Sequence, residues 1–358
     1  AQLRQNLAKE GAVFTTTVDT EVLLSLIALS ARPTIEERVA ESVKQIRGAF
    51  AILLMTDNKI IAVRDSYGFR PLVLGKMENG WCVASESCAF DLVGAEMVRD
   101  VKPGEMVIID SDNAEPRSMM WCEKLPEKTA HCIFEYVYFA RNDSVIDNQP
   151  VYDARIQMGR ELAKETKDIH PDIVISAPDS GTPAAIGYSL ESGIPFMEGL
   201  NKNRYVGRTF IQPTQKQRAN AVRLKLNPIR SVVAGKSVVM VDDSIVRGTT
   251  SGKVVKLLKE AGAREVHVCI SSPPVVDSCY YGIDTSERKQ LIAARCTEEE
   301  ICRFIGADSL HYISMEGMKR AVSHIDPEGL CLACFSSRYP DNADEVIAAE
   351  PKPLAEGE

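Results

Sequence analysis

The sequence predicts two domains of different class, an α+β domain with an antiparallel sheet and then an α/β domain with a doubly wound parallel sheet. The chain has 358 residues, and at about 150 residues per domain this length suggests two domains. Up to about residue 122, strand-like runs follow one another with few helices between them, which is typical of antiparallel sheets. From about residue 133, short apolar runs alternate with helix-like segments, which is typical of βαβ units.

In the first domain, apolar residues recur with helical spacing over 20–30 and 35–47. Five strands are then predicted, separated by turn-rich pieces such as Met-Glu-Asn-Gly and Lys-Pro-Gly-Glu. They cover 49–55, 59–64, 72–74, 81–84 and 106–110.

In the second domain, the pattern predicts helices over 152–166, 183–192 and 250–261, and strands over 173–177, 195–197, 237–241 and 266–271. The tail is acidic and poor in aromatic residues, which predicts disorder. The predicted domain limits are therefore 1–122 and 123–340, with a disordered tail over 341–358.

Composition excludes several classes of protein. The 42 Lys and Arg residues against 50 Asp and Glu give a net charge of −8, which argues against a nucleic-acid partner. No run approaches the roughly 18 apolar residues of a membrane helix, and the first residues lack the apolar core of a secretory signal. The chain has ten cysteines among its 358 residues, a share of about 3%, whereas disulfide scaffolds exceed about 8%. We therefore expect a reducing compartment, the cytoplasm, or the plastid stroma for a plant or algal source.

The most informative segment is 238–250, Val-Val-Met-Val-Asp-Asp-Ser-Ile-Val-Arg-Gly-Thr-Thr. An apolar strand ends at the adjacent carboxylates Asp242 and Asp243, and a short polar loop leads into a helix. Backbone N–H groups at such a helix start bind phosphate, and Gly248 allows a close approach. The two carboxylates suit ribose hydroxyls and a divalent cation. The alternative is a purely structural role, in which the segment is only a strand, a turn and a capped helix.

Two further segments suggest polyphosphate binding. Residues 178–181 read Pro-Asp-Ser-Gly, and residues 202–210 carry the cations Lys202, Arg204 and Arg208. Cations at this density attract polyphosphate, and a mobile lid over the substrate would exclude water. The alternatives are an ordinary β-turn and a solvated run of charge.

Together these three segments resemble the phosphoribosyltransferase part of glutamine phosphoribosylpyrophosphate (PRPP) amidotransferases. Residues 18–22 and 63–75 are similar to the glutaminase domain of that family, and 272–285 and 331–335 to its cluster-bearing, Bacillus-like branch. The resemblance covers roughly residues 1–340. It implies a type I phosphoribosyltransferase sheet preceded by an N-terminal-nucleophile hydrolase domain. The implied reaction is the first committed step of purine biosynthesis, in which ammonia derived from glutamine displaces pyrophosphate from PRPP.

The resemblance also assigns roles to individual residues. Mg²⁺ is expected at Ser180, Asp242 and Asp243. The remaining PRPP contacts fall on the pyrophosphate loop, the basic segment and the 5′-phosphate loop: Asp179, Ser180, Gly181, Thr182, Lys202, Arg204, Ser244, Ile245, Val246, Arg247, Gly248, Thr249 and Thr250.

The family pattern starts with a cysteine nucleophile, whereas this sequence starts at Ala1. The resemblance implies that about the first hundred residues of the pattern are absent, including the nucleophile and the oxyanion donors. We therefore expect no glutaminase activity and the use of free ammonia only. Asp19 matches a retained glutamine contact, with a helix N-cap as the alternative.

Cysteine spacing leaves the metal chemistry open. Cys331 and Cys334 form a C-x-x-C pair, which needs partners to hold a metal centre. The resemblance supplies Cys132 and Cys279 and implies a [4Fe–4S] cluster. A Cys₄ zinc site uses the same ligand set, and reduced buried thiols are the third alternative.

The resemblance implies a homotetramer that purine nucleotides inhibit. Other interpretations are an inactive fragment, a PRPP-binding regulator of the same fold, or a transferase with a nucleobase acceptor. A regulator would need a DNA-binding helix-turn-helix or a basic face, and neither is visible. A nucleobase transferase would not explain residues 1–122.

Overall fold

The computed structural model describes residues 2–203, 226–283 and 287–341. The chain divides into two compact units, Ala1–His131 and Cys132–Glu358. The disorder predicted for the tail falls, from residue 342 onwards, outside the described residues, as do Arg204 and Arg208. Within the described part of the chain, no helix is long and apolar enough to cross a membrane.

The first unit contains two antiparallel sheets and four helices. One sheet has the strand order β1-β2-β6-β7, and the other has the order β4-β3-β5. Its helices are α1 Gln2–Lys9, α2 Asp19–Leu29, α3 Ile35–Val43 and α4 Cys88–Val93, and its strands are β1 Ala51–Met55, β2 Lys59–Arg64, β3 Val73–Met77, β4 Gly80–Ala84, β5 Glu96–Asp100, β6 Glu105–Asp110 and β7 Arg117–Met120.

Alternation along β2 builds the layers of this unit. Ile61 and Val63 are fully buried against α2 and α3. Ala62 points to the opposite face and packs with Leu74 of the second sheet and with Leu72, which precedes that strand. Phe90 of α4 covers the outer face of that second sheet. The predicted α+β class with antiparallel pairing is confirmed.

Some predicted bounds in this unit were wrong. The helix predicted over 35–47 ends at Val43, because tighter turns at Gln45 and Ile46 follow it and lead to a left-handed Gly48. Strands β5 and β7 were missed, since both are short and carry charged or exposed side chains. The short helices α1 and α4 were missed for the same lack of a long apolar pattern.

The second unit is built on a parallel sheet of order β11-β14-β15-β16. The segment predicted as a strand over 195–197 forms one parallel bridge, between Phe196 and Val174. The strands of the second unit, with β8 starting at the last residue of the first, are β8 His131–Cys132, β9 Val145–Ile146, β10 Gln149–Pro150, β11 Ile173–Ser176, β12 Leu200–Lys202, β13 Leu226–Pro228, β14 Ser237–Asp242, β15 Glu265–Ile270, β16 Ser309–Tyr312 and β17 Leu330–Cys331.

Helices cover both faces of this sheet, as the doubly wound prediction requires. A π-helix, Glu135–Phe139, and the helices Val151–Glu165 and Thr182–Ser192 pack on one face, while the helices Thr249–Glu260 and Glu298–Ile305 pack on the other. The α-helices are α5 Val151–Glu165, α6 Thr182–Ser192, α7 Arg230–Val233, α8 Thr249–Glu260, α9 Glu298–Ile305, α10 Met315–Ala321 and α11 Ala333–Ser336, and three short 3₁₀ turns, Arg288–Gln290, Ile292–Ala294 and Pro327–Gly329, complete the unit.

Candidate functional site

Two adjacent carboxylates lie at the carboxyl end of a central strand of the parallel sheet. Asp242 is the last residue of β14, which is hydrogen-bonded to β11 on one side and β15 on the other. Asp243 follows it and is 7% exposed. The backbone N–H of Asp243 donates to the Asp242 carboxylate at 2.9 Å. In open α/β sheets, ligands bind outside the carboxyl ends of the strands, and these carboxylates stand there.

Burial makes these two carboxylates costly to ionise together. It raises the pKa of Asp242 well above its ordinary value, and the neighbouring Asp243 charge raises it further. Burial also raises the pKa of Asp243, although hydroxyl groups of Ser180 and Ser244 donate hydrogen bonds that act in the opposite direction. A divalent cation or ribose hydroxyls would stabilise both ionised groups, so this pair has the chemistry of a cation and sugar site.

The loop after β11 packs directly against these carboxylates. Ser180 hydrogen-bonds the Asp243 side chain. A Cβ atom at Gly181 would lie 2.6 Å from the carbonyl oxygen of Val241 and 3.1 Å from Cα of Asp242. The Pro178–Asp179 peptide bond that opens this loop is cis. The structure therefore brings two segments together that stand about 60 residues apart in the sequence.

The loop from Ser244 to Gly248 leads into the N-terminus of α8. Gly248 has φ +74° and precedes the helix, whose first N–H groups receive no side-chain cap. Thr249 and Thr250 are exposed, whereas Ile245 is buried in the core below the loop. An uncapped helix start with exposed hydroxyls offers donors to an anion.

Two more predicted residues, Val246 and Arg247, complete this loop. The carbonyl of Val246 accepts a hydrogen bond from the N–H of Ile292 at 3.0 Å, which fixes the loop to the 3₁₀ turn Ile292–Ala294. Arg247 is exposed. The loop is thus held by the buried Ile245 and by the bond to Ile292, while Arg247 faces solvent.

Lys202 lies at the end of β12, which pairs with β13, the next described strand in the sequence. Its ammonium group forms an ion pair with the carboxylate of Asp179 in the loop after β11. Thr182, at the start of α6, shares a hydrogen bond with Ser176 at 3.1 Å. The structure therefore brings Lys202 to the predicted pyrophosphate loop.

The four predicted cysteine ligands come together at the edge of the core of the second unit. Cys132 and Cys331 lie on the paired strands β8 and β17. Burial raises the pKa of Cys334 well above its ordinary value, and the charges of Cys132, Cys331 and Cys279 raise it further. In the described part of the chain, no three His, Cys, Asp or Glu side chains are arranged as ligands of one metal ion.

The predicted glutamine contact lies in the first unit. Asp19 is the first residue of α2 and is exposed, while Val18 occupies the N-cap position. The alternative that Asp19 is the N-cap is therefore wrong by one residue. Sequence reasoning missed Glu21, whose carboxylate accepts backbone N–H bonds from Thr15 and Thr16 at 2.7 and 3.0 Å. These bonds lower the pKa of Glu21 to about 2.

Both units match known domain families. Residues 1–91 match a glutamine amidotransferase domain, and residues 142–300 match a phosphoribosyl transferase domain. The fold and these matches define a phosphoribosyltransferase joined to a domain of the glutamine amidotransferase class.

Comparison with individual proteins narrows this class. The amidophosphoribosyltransferase of Archaeoglobus fulgidus is 49% identical over 346 residues, which cover 95% of this chain and 74% of that protein. The Bacillus subtilis enzyme is 48% identical over 95% of this chain and 71% of its own length. The chain belongs to the amidophosphoribosyltransferase family. The chloroplastic amidophosphoribosyltransferase 1 of Arabidopsis thaliana is 47% identical over 96% of this chain. This chain spans 60% of the length of that relative.

A solved structure agrees with this assignment. Glutamine PRPP amidotransferase from B. subtilis, complexed with ADP and GMP, matches with a TM-score of 0.88 and 48% identity. The match covers 95% of this chain and 74% of that one.

Proposed function

We propose that this chain transfers the phosphoribosyl group of PRPP to ammonia, yielding 5-phosphoribosylamine and pyrophosphate. One observation carries the proposal. The loop after β11 and the strand-end carboxylates Asp242 and Asp243 are in contact, and the uncapped start of α8 follows the same strand. These are a pyrophosphate loop, a cation and sugar site, and a 5′-phosphate site in the order that PRPP requires.

The phosphate loop and the two carboxylates would have separate roles in the reaction. Backbone N–H groups and hydroxyls from Ser244 to Thr250 hold the 5′-phosphate, and Asp242 and Asp243 orient the ribose hydroxyls. The nitrogen of ammonia forms a bond to C1 as the bond from C1 to the pyrophosphate oxygen breaks. The electron pair of that bond leaves with pyrophosphate, and the nitrogen then loses one proton to solvent. Positive charge develops on the ribose and negative charge on the leaving group.

The leaving group is stabilised by the loop from Asp179 to Thr182. Lys202 stands beside this loop and would exchange its ion pair with Asp179 for a pyrophosphate oxygen. A bound Mg²⁺ ion would act as a Lewis acid and neutralise developing charge. Ser180, Asp242 and Asp243 fit such an ion, because their oxygens converge and the two carboxylates repel each other.

The test is formation of phosphoribosylamine from PRPP and Mg²⁺ by the 358-residue chain, with ammonia or glutamine as donor. We expect activity with ammonia, and a loss of at least about 100-fold in kcat/KM for PRPP in Asp243→Asn. Asp168→Asn, which removes an exposed carboxylate of the same unit, should leave the rate unchanged. Equal activity of D243N and wild type would refute the assignment of the site.

A PRPP-binding regulator is the second candidate, because the same site would bind without turnover. Tight binding of PRPP and Mg²⁺ by a folded chain that forms no product with either donor would favour it. Glutamine-dependent turnover in the same assay would show that the first unit supplies ammonia, with Asp19 as the proposed contact of the glutamine α-amine.

We further propose that Cys132, Cys279, Cys331 and Cys334 hold a [4Fe–4S] cluster, as in the Bacillus-like branch. The donor set fits, because Cys132, Cys279 and Cys331 lie close enough for their charges to act on the thiol of Cys334. The resemblance of residues 272–285 and 331–335 to the Bacillus-like branch favours the cluster over zinc, which uses the same ligand set.

Metal analysis of anaerobically purified protein tests this proposal. We expect about four irons per chain and little zinc. Cys334→Ser should lose most of the iron, whereas Cys296→Ser, at a partly buried cysteine outside the set, should retain it. Stoichiometric zinc, or iron retained in C334S, would contradict the proposal.

Assembly and regulation are proposed on the same basis. We propose a homotetramer, inhibition by purine nucleotides, and a cytoplasmic or plastid location. The homotetramer rests on the family resemblance. Inhibition is supported by the B. subtilis structure, which contains ADP and GMP, and the location by relatives named in bacteria and chloroplasts. Competition of GMP with PRPP, and the mass of the assembly in solution, would test the first two.

A further inference from the structure

The segment that follows the C-x-x-C pair returns across the neighbourhood of the cysteines. Helix α11 ends at Ser336, and Ser337 adopts a left-handed conformation with φ +57°. This turn redirects residues 338–341 toward the segment that carries Cys279. We call residues 337–341 the strap.

Two side-chain hydrogen bonds tie the strap to the Cys279 segment. The Tyr339 hydroxyl donates to the backbone carbonyl of Ser278 at 2.5 Å. The Tyr281 hydroxyl donates to the carboxylate of Asp341. The strap thus donates one hydrogen bond to the Cys279 segment and accepts another from it.

Aromatic packing closes the same junction. The ring of Tyr339 packs on Tyr280 at a centroid distance of 4.8 Å and approaches Tyr281 at 6.0 Å. Tyr281 is 4% exposed and Tyr339 is 7% exposed, so both rings exclude water from the space between the segments. The backbone N–H of Tyr281 also lies 3.3 Å from Sγ of Cys279.

A second set of bonds comes from the C-x-x-C side. The carbonyl of Cys334 accepts the N–H groups of Val276 and Asp277 at 2.9 and 3.1 Å. The two ligand-bearing segments are therefore joined before Cys279 through the Cys334 backbone, and on both sides of Cys279 through the strap.

We propose that the strap is a retention device for the cysteine-bound cluster, with Tyr339 and Asp341 as its positioning residues. This rests on the proposed cluster. For iron to leave or oxidant to enter, the Cys279 segment must separate from Cys334, and the strap bonds must break. Weakening the strap therefore speeds cluster loss without touching a ligand or the PRPP site.

The test compares Tyr339→Phe and Asp341→Ala with Tyr280→Phe. The control removes a hydroxyl that makes no hydrogen bond to the described residues and keeps the stacked ring. Proteins are purified without oxygen, and iron per chain is measured. The decay of cluster absorbance is then followed in air and with a ferrous chelator. We expect Y339F and D341A to lose the cluster about 3- to 10-fold faster than wild type, the effect of one lost hydrogen bond, and Y280F to match wild type.

Failure of the strap and failure of the cluster proposal give different results. Full iron content with wild-type decay in both strap variants would overturn the strap. Wild-type protein without iron would overturn the cluster, and the strap is then judged on the metal-free chain. There, labelling of Cys279 and Cys334 by a thiol reagent should be faster in Y339F than in Y280F, and equal rates would refute it.

Discussion

Replacement of Gly181 by alanine tests how the candidate pyrophosphate loop is held. The backbone at this position has φ −74° and ψ −10°, which any residue adopts, so only space opposes a side chain. The new Cβ would meet the Val241 carbonyl oxygen at 2.6 Å, and backbone atoms of Ala177 and Asp242 at 3.0 and 3.1 Å. These neighbours are strand and loop backbone, so they cannot swing away as a flexible side chain could.

The size of the effect follows from this contact. Cβ contacts below 3.0 Å essentially do not occur, and ordinary contact begins at 3.4 Å, so the loop must move by roughly 0.4 to 0.8 Å away from β14. Overpacking of this kind costs about 1–3 kcal/mol, or about 2–12 °C in Tm for a unit of this size. Since a 1 Å misplacement can cost 100-fold in rate, we expect kcat/KM for PRPP to fall by about 10- to 100-fold.

The assay is ammonia-dependent phosphoribosylamine formation, together with thermal unfolding of the same preparations. Gly252→Ala is the matched control. It lies one turn into α8, its nearest neighbour would be 3.4 Å away, and alanine favours a helix, so activity and Tm should hold or rise. A G181A variant with a lowered Tm but wild-type kinetics for PRPP would refute the link between this contact and the site.

Three further predictions concern stability. Gly159→Ala should cost about 3 kcal/mol or more in chemical denaturation, because its Cβ would lie 1.9 Å from the Ala184 carbonyl oxygen, whereas Gly80→Ala, with open space around it, should be neutral. Asp242 has a raised pKa, so its contribution to stability is present below about pH 3.9 and is lost as pH rises through the folded value. Without ligands, Asp242→Asn should therefore melt above wild type at pH 7.5 and equal it near pH 4. Glu21 has a pKa lowered to about 2, so its contribution is present above about pH 4.3 and is lost toward pH 2. Glu21→Gln should lower Tm at pH 7 and flatten the acid limb of a pH–Tm curve.

Sequence reasoning succeeded where a signal is local. The strand over 59–64 was predicted at its observed bounds because apolar residues lie between polar ends. The loop from Asp242 to Thr250 was placed between a strand and a helix, since all its signals lie within one short segment. The edge strand Arg117–Met120 was not found, because its exposed side chains carry no alternation.

Contacts across the sequence could not be predicted in this way. The hydrogen bond from Ser180 to Asp243 exists because β11 and β14 are parallel neighbours, and neither segment contains a sign of the other. Glu21 was missed for a related reason, since its role depends on the chain folding back from Thr15. The resemblance connected Ser180 with Asp243 before the structure did, but it did not connect Glu21 with Thr15.

This difference in construction has a physical consequence for the two candidate sites. The candidate 5′-phosphate loop runs from β14 into α8, so most of its shape is set by that one strand–helix unit, with one further bond from the Ile292 N–H to the Val246 carbonyl. The cysteine site joins β8, β17 and the segment around Cys279, which lie far apart in the chain. Separation of any one of these segments opens it, even while the parallel sheet remains intact. Local opening is less costly than global unfolding, so the integrity of the cysteine site depends on added links such as the strap.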